Sequence, residues 1–255
     1  MLISVVNRST LLSDAEVQRA VRAINRQLGE DFEPHWQFGA RLRVDGAGRA
    51  AHAPDAKVSL PRLPGRRGDA VIYLQDKASV ADAEGYHDAN NEDVPFGFVF
   101  LDVCKAAGDE WTVALSHEAI ELVGDPLSNL LVQGPCPHDH RHQVFHSYEL
   151  CDPVQGETYE IDGVLVSNFV LPGWFARTMV AGARNDFLGR PEAGATLAPF
   201  SIAPGGYLCY FDPDKPEGRK WVSYMPPGDA ASEQRVAAKS ASKLARIARR
   251  AHAAR

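Results

Sequence analysis

The run Ser116-His117-Glu118-Ala119-Ile120-Glu121-Leu122-Val123-Gly124-Asp125-Pro126 brings one histidine and three carboxylates into a segment that otherwise reads as a buried helix. At about 100° of rotation per residue, His117, Glu121, Asp125 and Glu118 fall within one arc of roughly 100°, and Leu115, Ile120, Leu122 and Val123 fill the opposite side. Carboxylates crowded in an apolar setting repel one another and lose hydration, so they need protons, a cation or hydrogen-bond donors. A divalent metal meets that need in one step, and the pattern predicts a metal site. The competing expectation is an acidic stripe paired with arginines such as Arg41 or Arg43.

His117-Glu118-x-x-Glu121 resembles the HExxH helix of the zincin metallopeptidases, in which two histidines one turn apart bind the metal and the intervening glutamate activates a water. Glu121 replaces the second histidine, so the motif is HExxE. Gly124 stands where the metzincin branch has a glycine, but Leu127 occupies the place of its third ligand. The resemblance implies His117 and Glu121 as metal ligands, Glu118 as general base, and a third ligand from elsewhere. It also implies a core over residues 1–126, with Phe98 to Val103 as the strand bordering a cleft for an extended peptide. A longer pattern, the Tyr148-Glu149-Leu150-Cys151-Asp152-Pro153-Val154 segment followed by Ser167-Asn168-Phe169-Val170-Leu171-Pro172, resembles an uncharacterised bacterial protein group and brings no substrate.

For the third ligand the first choice is Glu149, because residues 148–154 place Glu149, Asp152 and the phenol of Tyr148 together, downstream of the helix. Asp125 comes next through its i, i+4, i+8 relation to His117 and Glu121, either as a ligand or as a residue that orients one. His138, His140, His142 and His146 are a third source. In the mechanism that follows, the metal lowers the pKa of its water toward ~7, Glu118 takes the proton and Tyr148 stabilises the oxyanion. Zinc leads among the metals. The additional carboxylate makes the set harder and brings manganese, iron or calcium into range.

Elements that could carry this site are legible on both sides of it. Leu2 to Val6 reads as a strand, and Ser13-Asp14-Ala15-Glu16 is a capping box opening a helix with Val17, Ala20, Val21, Ile24 and Leu28 on one stripe, stopped by Gly29. Ala40 to Val44, Ala70 to Leu74 and Phe98 to Leu101 read as further strands. Asp109 is the expected N-cap of the motif helix, and Gly124 with Pro126 ends it. Gly85-Tyr86-His87-Asp88 could line the cleft, but its residues suit a turn and it receives no role. Residues 127–147 show little periodicity, and their histidines read as an exposed insertion. Thr158-Tyr159-Glu160-Ile161 and Val164-Leu165-Val166-Ser167 around Asp162-Gly163 form a hairpin signal, with another strand near Tyr207 to Phe211. Trp174-Phe175 reads as core.

The 255 residues, 45% apolar, support a sizeable core. The expected class is α+β: a zincin-like mixed sheet with the motif helix over 1–126, a β-rich irregular region over 127–228 that completes the site, and a basic helical tail over 229–255. Seven Lys and Arg in that tail face only Asp229 and Glu233, so the net charge of −6 divides into an acidic body and a basic tail. An acidic body argues against nucleic-acid binding, whereas the tail suits solvent or an acidic partner. No run approaches a membrane span, and without a leader-like start the expected location is cytoplasmic. Cys104, Cys136, Cys151 and Cys209 form no C-x-x-C pair and read as reduced thiols. The functional expectation is a metal-dependent hydrolase acting on a peptide or small amide. The alternatives are a non-haem iron oxygenase in which His146 joins His117 and a carboxylate, and a non-catalytic domain with a degenerate motif.

Overall fold

The computed structural model describes residues 1–45, 66–78, 83–189, 196–217 and 219–226, and the basic tail lies outside them. The chain is mixed α+β and divides into two compact units, Met1–Ser128 with Thr158–Ser167, and Asn129–Glu157 with the described residues from Asn168 onward. The hairpin at Thr158–Ser167 therefore groups with the unit that carries the motif helix.

In the first unit, β1 (Leu2–Asn7) leads into α1 (Asp14–Arg26). Both halves of the capping box form: the Glu16 amide donates to Ser13 Oγ at 3.3 Å, and the Ser13 amide donates to Glu16 Oε2 at 2.8 Å. Gly29 does not stop the helix. The chain continues through a π-helical turn, Gln27–Phe32, into α2 (Glu33–Trp36), and ends at Gln37 in the left-handed region, φ 61°. Leu28, Phe32 and Trp36 prolong the buried stripe at a spacing of four residues, and this burial outweighs the ~1 kcal/mol that one glycine costs in a helix.

The five-stranded sheet runs β2-β1-β3-β5-β4, where β2 is Arg41–Val44, β3 Ala70–Gln75, β4 Gly85–Ala89 and β5 Pro95–Phe100. All pairs are parallel except β4–β5, which places Tyr86 opposite Phe98 and His87 opposite Gly97. Two sequence expectations change here. Residues 85–88 form a strand rather than a turn. That strand, and not Phe98–Val103, ends the sheet order: β5 is paired on both sides, and Leu101–Ala107 is the short helix α3.

Strand alternation divides the sheet into two chemically different faces. Val6, Val71, Tyr73, Tyr86, Phe96, Phe98 and Phe100 make one aromatic cluster. Gly85, His87 and Gly97 point the other way, toward α4 (Trp111–Gly124). Asp109 closes the preceding helix, its amide donating to the Cys104 carbonyl at 2.9 Å beyond Gly108 at φ 79°, so Glu110 takes the N-cap of α4 instead. Every residue from Ala114 to Gly124 is buried, so the reactive side of α4 is as enclosed as its apolar side. The hairpin β8 (Thr158–Ile161) and β9 (Val164–Ser167) turns through Asp162 and Gly163 at φ 52° and 75°, the positive pair an Asp-Gly turn supplies.

The second unit contains the antiparallel sheet β11-β10-β7-β6, built from β6 (Leu131–Cys136), β7 (Asp139–Ser147), β10 (Leu208–Phe211) and β11 (Trp221–Tyr224). The histidine segment is thus strand and not an insertion. Its alternation escaped the sequence reading because the buried positions include Gly134 and His146 as well as Cys136 and Val144. Trp174 is fully buried, with its Nε1 donating to the Ser201 carbonyl at 2.9 Å, as core packing requires. All four cysteines are buried free thiols. No helix among the described residues is long and apolar enough to cross a membrane.

Candidate metal centre

Side chains from α4 and β4 form the centre of the first unit. His117 and Glu121, one helical turn apart, approach through Nε2 and Oε2 at 3.3 Å. His87, two strand positions beyond Gly85, brings Nδ1 to 3.7 Å from the same Glu121 Oε2 and to 3.5 Å from Glu118 Oε2. All four are buried, from 3% exposed for Glu121 to 9% for His117. Glu118 Oε2 has no hydrogen-bond partner among the described residues.

These separations carry chemical information. Good hydrogen bonds to oxygen span 2.7–3.2 Å, whereas donors on neighbouring corners of a tetrahedron with bonds of about 2.0–2.2 Å lie roughly 3.3–3.6 Å apart. The values of 3.3, 3.5 and 3.7 Å sit in or beside the second range. Buried imidazoles and carboxylates at such spacing can hold a divalent cation; among the described residues His87 with Glu121 and His117 with Glu121 fall in two separate groups of potential donors, not in one.

Local packing explains how the sequence brings them this close. A Cβ on Gly85 would stand 2.8 Å from both Cγ and Oε1 of Glu118 and 2.8 Å from the Phe98 carbonyl oxygen, so only glycine lets α4 approach β4. On the other flank of α4, Ser116 Oγ accepts the Ser167 amide of β9 at 2.7 Å and Thr112 Oγ1 donates to the Leu165 carbonyl at 2.8 Å. Gln27 Nε2 donates to the Ser167 carbonyl at 2.8 Å and thereby ties the same hairpin to the π-helical turn.

The sequence-predicted residues are distributed as follows. His117, Glu118 and Glu121 share the centre, joined by His87, which sequence reasoning passed over. Its only signal was an imidazole two residues after a glycine, in a composition that suited a turn. Asp125 is buried at the C-cap of α4, its amide donating to the Glu121 carbonyl at 2.8 Å, and its φ of −136° ends the helix there. Arg41 and Arg43 lie on β2, at the opposite end of the sheet order from β4, and Arg43 pairs with Asp45 at 2.8 Å. They do not neutralise the motif.

Tyr148, Glu149 and Asp152 belong to the second unit. The Tyr148 ring stacks on Phe175 at 4.7 Å, Glu149 is buried, and Asp152 opens a 3-10 turn, Asp152–Val154. The histidines of the β6–β7 hairpin, with His138 in its turn, have separate surroundings. His138 meets the Tyr224 ring at 4.3 Å. His142 Nε2 donates to Asp212 Oδ1 at 2.9 Å and its Nδ1 lies 3.6 Å from Asp214, and the Asp212 hydrogen bond raises its pKa. His142, Asp212 and Asp214 form a further, more exposed group of potential donors. His146 is fully buried against Phe200 and Tyr210, and burial pushes its pKa down to about 4. Its Nε2 donates to the Pro135 carbonyl at 2.9 Å, which fixes the tautomer and leaves Nδ1 as the lone-pair nitrogen.

No family model, curated protein or solved structure matches the chain.

Proposed function

We propose that the chain is a metal-dependent hydrolase, peptidase-like in its chemistry, that cleaves a peptide or small amide bond. The observation that carries the reading is the buried convergence of His117 and His87 on Glu121 Oε2, with Glu118 Oε2 beside them and without a hydrogen bond among the described residues. The mixed sheet with an antiparallel last strand facing the motif helix supports the zincin-like resemblance, and that resemblance supplies the reaction class.

His117 and Glu121 would hold the cation, and from the sequence order alone we assign Glu149 as the further donor. A divalent ion held there would supply Lewis-acid polarisation of a carbonyl oxygen and a water acidic enough to lose its proton near neutral pH. Glu118 receives the proton at Oε2 and passes it to the leaving amine. From the sequence order alone, Tyr148 is assigned to donate its phenol hydrogen to the developing oxyanion. The enclosure of α4 from Ala114 to Gly124 lowers the local dielectric, which strengthens these interactions. Zinc suits the imidazoles, and manganese, iron and calcium are the harder ions that the carboxylates admit.

The test is elemental analysis of untagged protein, paired with thermal melting with and without chelator and with cleavage of a mixed peptide library. A bound divalent ion, a melting temperature that falls on chelation, and metal-dependent cleavage are expected. Protein that carries no ion, melts identically in chelator and leaves every peptide intact overturns the reading.

A further inference from the structure

We propose that the first unit carries a second ligand site, for the oxyanion of a small molecule, between Arg8 and Gln75 at the carboxyl ends of β1 and β3. It goes beyond the metal reading and lies on the aromatic face of the sheet, not on the face that meets α4.

Topology singles out this place. In the order β2-β1-β3-β5 the chain passes from β1 to β2 on one side and from β3 to β5 on the other, through parallel pairs. The carboxyl ends of β1 and β3 therefore flank a topological switch point, where open parallel sheets bind their ligands. Pairing sets Asn7 beside Leu74, and the Arg8 amide donates to the Leu74 carbonyl at 3.0 Å, so Arg8 and Gln75 are neighbours one position further on. Strand alternation puts Gln75 on the face of Tyr73. The Arg8 guanidinium occupies that face too, 4.1 Å from the centroid of the Tyr73 ring.

Gln75 is the residue that points to a ligand. It is 7% exposed, and its Nε2, with two hydrogens to give, has no hydrogen-bond partner among the described residues. A buried donor left unmet costs stability that a leucine of similar size would not. The charge beside it selects an anion. Burial lowers the Arg8 pKa, against the raising effect of Tyr73, and burial pushes Tyr73 up to about 12 against the fields of Arg8 and Arg66. Two guanidinium groups thus act on one buried phenol. An oxyanion accepts from the Gln75 amide and the Arg8 fork together, and it stabilises the charged guanidinium that burial disfavours.

The loop after β1 is fixed before any ligand arrives. Asp76 accepts from Ser9 Oγ, from the Thr10 amide at 3.0 Å and from Thr10 Oγ1 at 2.6 Å, while Asn7 Oδ1 accepts the Ser9 amide at 3.0 Å. These loop donors already serve carboxyl and amide oxygens of the protein, so the partners of the oxyanion are the side chains of Arg8 and Gln75. Holding Arg8 in place beforehand reduces the ordering cost of binding.

The experiment is isothermal titration of the full chain with inorganic phosphate and with acetate, sodium chloride serving as the ionic-strength control, in the wild type, Gln75→Leu and Arg8→Met. Saturable binding that chloride does not reproduce is expected, and the tighter of the two anions distinguishes a phosphate from a carboxylate ligand. Each substitution should weaken it about 10-fold or more, the worth of a hydrogen bond to a charged group. Gln75→Leu should melt no lower than the wild type without the anion, and its melting temperature should stay flat while that of the wild type rises as the anion is added. Nuclear magnetic resonance of the wild type follows the Gln75 side-chain NH2 without any substitution, and it should shift on saturation. Heats no different from chloride with an unmoved Gln75 resonance overturn the site. So does a Gln75→Leu protein that binds the anion as the wild type does, or one that melts well below it, since the amide then has a structural partner. None of these outcomes bears on the metal centre, whose test is chelation.

Discussion

Glu118 and Glu121 stand less than one helical turn apart and meet different nitrogens, which is the basis for giving them different roles. Glu121 is approached by both His117 and His87, whereas Glu118 is approached by His87 and keeps Oε2 without a hydrogen bond among the described residues. Glu118→Gln preserves shape and removes the proton acceptor. It should keep the metal and lower kcat by 10²–10⁴-fold, the ordinary worth of a general base, as read by metal analysis beside peptide turnover. Loss of the ion in that variant would make Glu118 a ligand and remove it from the proton path. Glu121→Gln should instead lose Zn²⁺ affinity, because an amide oxygen lacks the charge and basicity of a carboxylate.

At the scale of elements, the site is the meeting of α4 with β4 on one flank and β9 on the other. Gly85→Ala inserts a methyl group where Glu118 Cγ and Oε1 and the Phe98 carbonyl stand 2.8 Å away. The strand or the helix must shift, and a cost of about 1–3 kcal/mol is expected, with turnover falling further than the stability loss explains. Denaturant unfolding alongside kcat measures both, and an unchanged kcat would show that Glu118 needs no such close support. Ser116→Ala removes the acceptor for the buried Ser167 amide and should destabilise by about 1–3 kcal/mol, with metal affinity retained if the bond only docks the hairpin. Isothermal titration with Zn²⁺ reads the second half of that expectation.

For the whole molecule, acid sensitivity separates into distinct sources. His146 has an unfolded pKa near 6.5 and a folded value of about 4, because burial disfavours its charged form. Below the unfolded pKa the unfolded chain binds the proton that the folded chain refuses. The stability tied to this residue is therefore present above pH ~6.5 and lost as pH falls toward 4, an interval worth about 3 kcal/mol. Metal-free His146→Phe should lose less stability than metal-free wild type between pH 7 and pH 4 in denaturant titrations. Parallel pH profiles for the two would refute the assignment. His142 behaves oppositely: its pKa is raised, so its contribution holds below pH ~6.5 and fades as pH rises through the folded value.

The residue pattern alone determined the elements whose signals are local. The capping box at Ser13 and Glu16, the Asp162-Gly163 hairpin, and the α4 helix with His117 and Glu121 one turn apart all follow from neighbours within a few positions, where propensity and periodicity act directly. Gly29 shows where local logic yields, since a stripe of large apolar residues carried the helix past it. Residues 85–88 show it more sharply. A glycine, a tyrosine, a histidine and an aspartate score as a turn, and they become a strand because β5 offers a partner and the motif helix needs a glycine opposite Glu118. Tertiary structure alone decided that His87 faces the motif. The pairing of β4 with β5 joins residues that lie thirty positions from the helix they serve, and that distance in sequence leaves no periodic trace.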